Sequence, residues 1–205
     1  MMKKIGIALT GEIYNIPRPA ARQRDWTLTR NNIKTNLIDS FKKNNNVDVY
    51  IATYEDARVN DVINFYSPTK TLLLSPEGSH QRFTYIKSME NLLDQDLDFI
   101  IASRFDLFFD HEVINFNWDY DKMNYISPEM MGWESLQFIA DTLFGFPKKY
   151  LQSFINSIIN SPEDSMHDIY RHMVADITTE NIHFLVPEKQ WADHIPNMYR
   201  VVRSG

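Results

Sequence analysis

The sequence predicts an α/β fold with a mostly parallel central sheet and helices on both of its faces. Three observations predict it. Short, continuous apolar runs alternate with segments whose apolar residues recur at helical spacing, in the order β-α-β-α-β-α-β. The apolar runs are unbroken, as suits central strands covered on both sides. Each run also passes directly into polar residues, and α/β sheets carry their chemistry at such strand ends.

Lys4-Ile-Gly-Ile-Ala-Leu9 is the first strand, closed by Thr10-Gly11. A long loop follows, carrying Pro17 and Pro19 with Arg18, Arg22 and Arg24. Arginine-bearing loops at a strand end suit diphosphate contacts, and they equally suit solvent. Ile33, Leu37, Ile38 and Phe41 mark a helix within Thr27–Lys43, ended by Asn44-Asn-Asn46. Val47–Thr53 is the second strand and runs into Tyr54-Glu-Asp56, and Arg58–Phe65 the second helix. Thr71–Leu74 is a short third strand. His80–Leu93 is a helix whose stripe of Phe83, Ile86, Met89 and Leu93 is expected to face the core, with Gln81 and Arg82 near its start. Phe99–Ser103 is the fourth strand, ending in Arg104 and Asp106.

Beyond Asp110 the rhythm changes. Asn115–Asp121 reads as a loop, Tyr125–Ser127 as a short strand and Pro128–Trp133 as a turn. Asp141–Pro147 combines a strand-like run with Gly145 and Pro147, where the backbone can turn sharply. Leu151, Phe154, Ile155, Ile158 and Ile159 form one amphipathic stripe. Met166, Ile169, Tyr170, Met173 and Val174 form another, preceded by a cap signal at Ser161-Pro-Glu-Asp164. His183–Val186 is a last strand, and Trp191–His194 opens a polar, aromatic tail.

With 205 residues, 43% of them hydrophobic and 23% charged, the chain is expected to form one globular domain over 1–205. Residues 1–110 are its ligand-binding half and 111–205 a second half across the cleft; the final Arg203-Ser-Gly205 leaves open that it is one module of a longer polypeptide. Twenty-one Lys plus Arg against twenty-seven Asp plus Glu give a net charge of −6, which argues against nucleic-acid binding. Cysteine is absent, which removes disulfides and thiolate chemistry. No apolar run approaches the roughly 18 residues of a membrane span, and the chain is read as soluble and cytoplasmic.

The chain contains no GxxxxGK[ST], GxGxxG, HExxH or GxSxG pattern, which sets aside NTPase, dehydrogenase, zinc-protease and α/β-hydrolase chemistry. What stands out is Ser103-Arg104-Phe105-Asp106. Residues two apart on an extended chain share a face, so Arg104 and Asp106 are expected to point the same way. Such a pair is either a ligand site, carboxylate for a hard cation and guanidinium for phosphate, or a structural ion pair at a sheet edge.

Thr10-Gly11, the Arg-bearing loop, Val49–Tyr54, Ile101–Leu107 and Asp141–Pro147 together resemble small GT-A type glycosyltransferases, including those of large DNA viruses that decorate capsid proteins. Arg-x-Asp stands where Asp-x-Asp is usual. The resemblance runs from Lys4 to about Tyr170 and implies a single Rossmann-like domain and cytoplasmic location, that of the host for a viral enzyme. It also implies a nucleoside diphosphate sugar donor, a UDP-sugar, with Mn²⁺ or Mg²⁺, and a glycan or glycoprotein acceptor. By that resemblance Thr10, Gly11, Thr53 and Tyr54 contact the nucleoside. Arg18, Arg22, Arg24 and Arg82 contact the phosphates or sugar, Asp106 the metal with Arg104 orienting it, and Ser103 or Asp110 a ligand through water. Asp141 is the candidate general base and His194 a late metal ligand. A non-catalytic sugar-nucleotide module and a nucleotidyl or phosphoryl transferase remain as alternatives.

Overall fold

Strand residues alternate between faces, and here both faces are apolar. Ile5, Ile7 and Leu9 enter one core while Ala8 enters another; Phe99 and Ile101 join the first, Ile100 and Ala102 the second. Each fully buried Ile, Leu or Phe contributes about 1.5–3 kcal/mol relative to exposure, so a one-residue slip would invert both cores and is strongly disfavoured. The computed structural model describes residues 2–13, 25–76, 80–161 and 166–202.

The first core lies under α1 and α2. Arg30–Asn32, the π-helical Ile33–Asp39 and Ser40–Lys42 form one helical run, α1, and α2 is Val59–Tyr66. A separate 3-10 turn, Trp26–Leu28, precedes α1, its Thr27 N–H donating to the Asp25 carboxylate. The second core lies under α3 (Gln81–Glu90), α5 (Leu151–Asn160) and α6 (Ile169–Ile177), while α4 is the short Trp133–Leu136. Helices thus cover both faces, as the alternation predicts.

The main sheet has seven strands in the order β3-β2-β1-β4-β7-β6-β8. These are β1 (Lys4–Thr10), β2 (Asn46–Tyr54), β3 (Lys70–Leu74), β4 (Phe99–Arg104), β6 (Met123–Tyr125), β7 (Leu143–Pro147) and β8 (Ile182–Phe184). The first four pair in parallel, β7 runs antiparallel to both β4 and β6, and β8 lies parallel to β6. The chain leaves β1 toward β2 and β3 on one side, then returns to β4 on the other. That reversal opens a crevice at the carboxyl ends of β1 and β4, the place where open α/β sheets bind ligands. Gly145 of β7 is required by packing: a Cβ there would stand 2.3 Å from the Trp118 ring and 3.1 Å from Phe99.

The structure corrects several sequence expectations. Of the stripe expected on α3, Met89 is fully buried and Ile86 packs against the second core, whereas Leu93 is 45% exposed because the helix ends at Glu90; Thr84, Tyr85 and Ser88 are buried as well. The short strand sits at Met123–Tyr125 rather than 125–127, and the last at Ile182–Phe184, where Asn124 amide bonds to Asp119, Lys122 and Gly145 carbonyls set the register. In the stripe on α5, Ile159 is 49% exposed. The tail is no loose end. Leu107–Phe109 (β5), Tyr199–Val201 (β10) and His194–Ile195 (β9) form a second sheet in the order β5-β10-β9. Tyr199 anchors it, fully buried, its hydroxyl donating to the Ala192 carbonyl at 3.1 Å and meeting the Thr142 hydroxyl. The cap signal at Ser161–Asp164 falls largely outside the described residues.

Candidate active site

β1 and β4 run side by side in register, with Thr10 opposite Arg104, so both deliver their last residues to the crevice. Gly11 then turns the chain at φ +110°, a conformation that other L residues rarely adopt, and a Cβ there would meet nothing within 4 Å. The turn is held by Gly11 N–H donating to the Ala52 carbonyl at 3.1 Å and by the Thr53 hydroxyl donating to the Gly11 carbonyl at 2.8 Å.

Among the described residues a cavity of about 110 Å³ lies at this end of the sheet. Thr10, Gly11 and Glu12 line it from β1, Tyr54 from β2, Arg104 from β4, and His80, Gln81, Thr84 and Tyr85 from the start of α3. Complete small-molecule sites take roughly 300–1,000 Å³, so this cavity suits one moiety of a larger ligand. Its walls are held firmly. The Tyr54 and Thr84 hydroxyls bond one another, and the His80 ring accepts from Phe83 N–H at 3.2 Å, capping α3. Two buried hydroxyls in the wall, Thr10 Oγ1 and Tyr85 Oη, face one another, and among the described residues neither meets another group with hydrogen-bond geometry. Burial pushes the Tyr85 phenol up, so it stays protonated and able to donate.

Arg104 and Asp106 do share a face. Arg104 Nε donates to Asp106 Oδ1 at 2.8 Å and Nη2 to Oδ2 at 2.5 Å, a two-pronged pair in which the residues are 9% and 6% exposed. Arg104 Nη1 lies 3.9 Å from Asp141 Oδ1. Burial opposes the guanidinium charge, but the Asp106 and Asp141 carboxylates outweigh it and raise the group further, so it is always charged.

Asp141 is buried behind the cavity wall rather than in it. Gln81 Nε2, from the wall, donates to Asp141 Oδ2 at 2.8 Å. On the far side His167 Nε2 stands 3.6 Å from the same oxygen, and His167 Nδ1 lies 2.8 Å from Glu129 Oε2 and 3.0 Å from the Ile139 carbonyl. A carbonyl only accepts, so Nδ1 carries a proton. Burial alone would depress His167; the hydrogen bond to Glu129 and the Asp141 and Glu129 charges override it and raise the imidazole to about 9. Glu129, His167, Asp141 and Arg104 thus form a chain of alternating charge. Its folded value lies above 6.5, so the stability from His167 is full below pH 6.5 and is lost as pH rises through about 9. Urea unfolding across that window should show a fall on the order of 1–3 kcal/mol, absent in His167→Gln.

The other sequence candidates are dispersed. Thr53 is fully buried and braces Gly11 rather than lining the cavity. Ser103 is buried on the opposite strand face, its hydroxyl turned to the Arg104 carbonyl at 3.2 Å. Arg82 Nη2 donates to the Ile159 carbonyl at the end of α5. Asp110 accepts from Arg200 Nη1 at 3.3 Å. His194 sits exposed on β9, its backbone paired with Arg200 of β10. Arg18, Arg22 and Arg24 lie outside the described residues. Glu129 and His167 were missed because neither lies at a strand end, and a lone His between two amphipathic helices carries no local signal.

A divalent cation does not fit the described residues. No three His, Cys, Asp or Glu side chains among them come together as a ligand set. Asp106 already holds a guanidinium on both oxygens. A divalent ion about 4 Å from that guanidinium would be repelled by roughly 8 kcal/mol, twice the value for unit charges at an effective dielectric of about 20.

Among the described residues no helix is long and apolar enough to cross a membrane. No protein-family model matches the chain, and no curated protein matches it. Solved structures do. One described as a nucleotide-diphospho-sugar transferase, from Desulfovibrio desulfuricans G20, aligns with 91% of this chain and 80% of its own at 11% identity and TM-score 0.47. The 4-diphosphocytidyl-2C-methyl-D-erythritol synthase of Anaerococcus prevotii DSM 20548 aligns with 96% of this chain and 91% of its own, at 11% identity and TM-score 0.57. The second likeness is one of fold over almost the whole length, and the protein has a single α/β fold with a mostly parallel seven-stranded sheet, similar to that of the synthase.

Proposed function

We propose that this protein is a glycosyltransferase that moves a sugar from a nucleoside diphosphate sugar, a UDP-sugar, to a glycan or glycoprotein acceptor. The observation that carries the reading is the cavity at the carboxyl ends of β1 and β4, walled by Thr10, Gly11, Tyr54 and Tyr85 and floored by the charged Arg104. In this reading the turn at Gly11 and the Tyr54 ring receive the nucleoside, and Arg104 meets the diphosphate. Asp141, one side chain behind the wall, takes the proton of the acceptor hydroxyl, with Gln81 orienting it. The described residues form no ligand set for the Mn²⁺ or Mg²⁺ that the family resemblance implies.

A thermal-shift series with UDP-, GDP- and dTDP-sugars tests the reading. A donor at about 100 times its Kd should stabilise the fold by about 2.7 kcal/mol. Turnover should then release the nucleoside diphosphate, and no shift with any donor would sink the proposal. Nucleotidyl transfer is the second reading, favoured by the fold likeness to an enzyme named for a diphosphocytidyl product; it releases pyrophosphate instead. Binding without turnover would point to a non-catalytic sugar-nucleotide module.

A further inference from the structure

We propose that this pocket holds the diphosphate of its donor without a divalent cation, the Arg104 guanidinium supplying the positive charge at the end of β4. The inference rests on the transferase reading above and adds to it the means of charge neutralisation.

Three features point the same way. Arg104 is a member of the cavity wall, and its Nε and Nη2 edge is committed to Asp106, which fixes the plane of the fork. Nη1 makes no hydrogen bond among the described residues and is left for an anionic oxygen, with Asp141 Oδ1 3.9 Å away. Secondly, Thr10 Oγ1 and Tyr85 Oη stand in the same wall, buried, facing one another and with no other hydrogen-bond partner among the described residues. Buried hydroxyls of this kind are costly unless a ligand completes them, and phosphate oxygens accept from hydroxyls and guanidinium alike. Thirdly, the backbone at Gly11 faces open space, so a bulky anion can approach it.

The acidic neighbours set the limit of the site. Glu12 lines the rim and Asp141 lies behind the wall, so the guanidinium is partly neutralised before any ligand arrives. His167, held by Glu129, offsets Asp141 from the far side. A cation bound at Asp106 would have to displace the two hydrogen bonds that hold Arg104, removing the group it is meant to assist.

The test uses the full chain and UDP, GDP, CDP and dTDP as probes in titration calorimetry, once with EDTA and once with Mn²⁺. The best-bound nucleotide should show the same Kd in both within about threefold, and Mn²⁺ added with protein and nucleotide should keep the electron-paramagnetic-resonance signal of Mn²⁺ with nucleotide alone. Arg104→Lys keeps the charge but loses the fork and should weaken binding about tenfold or more, the loss of one charge-assisted hydrogen bond. Binding that rises more than about tenfold on adding Mn²⁺, or a protein-bound Mn²⁺ signal, overturns this inference and leaves the transferase reading standing. Unchanged affinity in Arg104→Lys also overturns it. Binding to no nucleotide under either condition overturns both. Where Arg104→Lys does not fold, the comparison on the unaltered chain decides.

Discussion

Arg104→Met is expected to destabilise the protein by about 3–5 kcal/mol. The guanidinium is the partner of Asp106 on both oxygens and lies 3.9 Å from Asp141, and all three side chains are nearly buried. Removing the guanidinium takes from Asp106 the two-pronged partner that holds both its oxygens and leaves less positive charge beside two nearly buried carboxylates, and weakening a buried pair from one side costs more than the pair contributed. The double variant Arg104→Met/Asp106→Leu removes both charges of the two-pronged pair and should recover part of the loss. Urea midpoints followed by circular dichroism measure this. A single variant within about 1 kcal/mol of the parent would show that the pair is solvated and structurally idle.

Asp141→Asn is expected to lower kcat about 10²- to 10⁴-fold while leaving donor affinity within a few-fold. The substitution keeps the shape of the side chain, and Gln81 can still donate to the remaining carbonyl oxygen 2.8 Å from its amide. What is lost, on the transferase proposal, is the proton acceptor. Single-turnover transfer against equilibrium donor binding separates the two effects. If donor binding falls in parallel with kcat, Asp141 acts by anchoring Gln81 and Arg104 in the cavity wall rather than by taking a proton.

Much of this site was readable from local pattern. The apolar runs at Lys4–Leu9 and Phe99–Ser103 suit strands covered on both sides, and their polar ends emerge together because the two are neighbours in one sheet. Spacing two along an extended chain placed Arg104 and Asp106 on one face, and the structure pairs them. Position in sequence could not separate Thr10 and Tyr54, which reach the cavity, from Thr53 and Ser103, which point to the opposite face or brace the backbone. The face of α3 was only partly legible. Helical spacing identified Met89 and Ile86 as core-facing, but not the polar Thr84 and Tyr85, which the helix turns into the cavity wall.

The sheet, its two cores and the crevice at the ends of β1 and β4 follow from short-range information, because period-two and period-3.6 patterns set which residues are buried. The charge chain from Glu129 through His167 and Asp141 to Arg104 does not. Its members come from a bridge beside β7, the start of α6 and the end of β4, up to 63 residues apart in a chain whose local patterns say nothing of such pairings. Only packing of the second half against the sheet brings them within 4 Å, and the same packing turned an expected tail into the β5-β10-β9 sheet. Electrostatics at that distance in a buried setting is a property of assembled neighbours, so the charge pattern around the cavity is set by long-range contacts that no window of sequence contains.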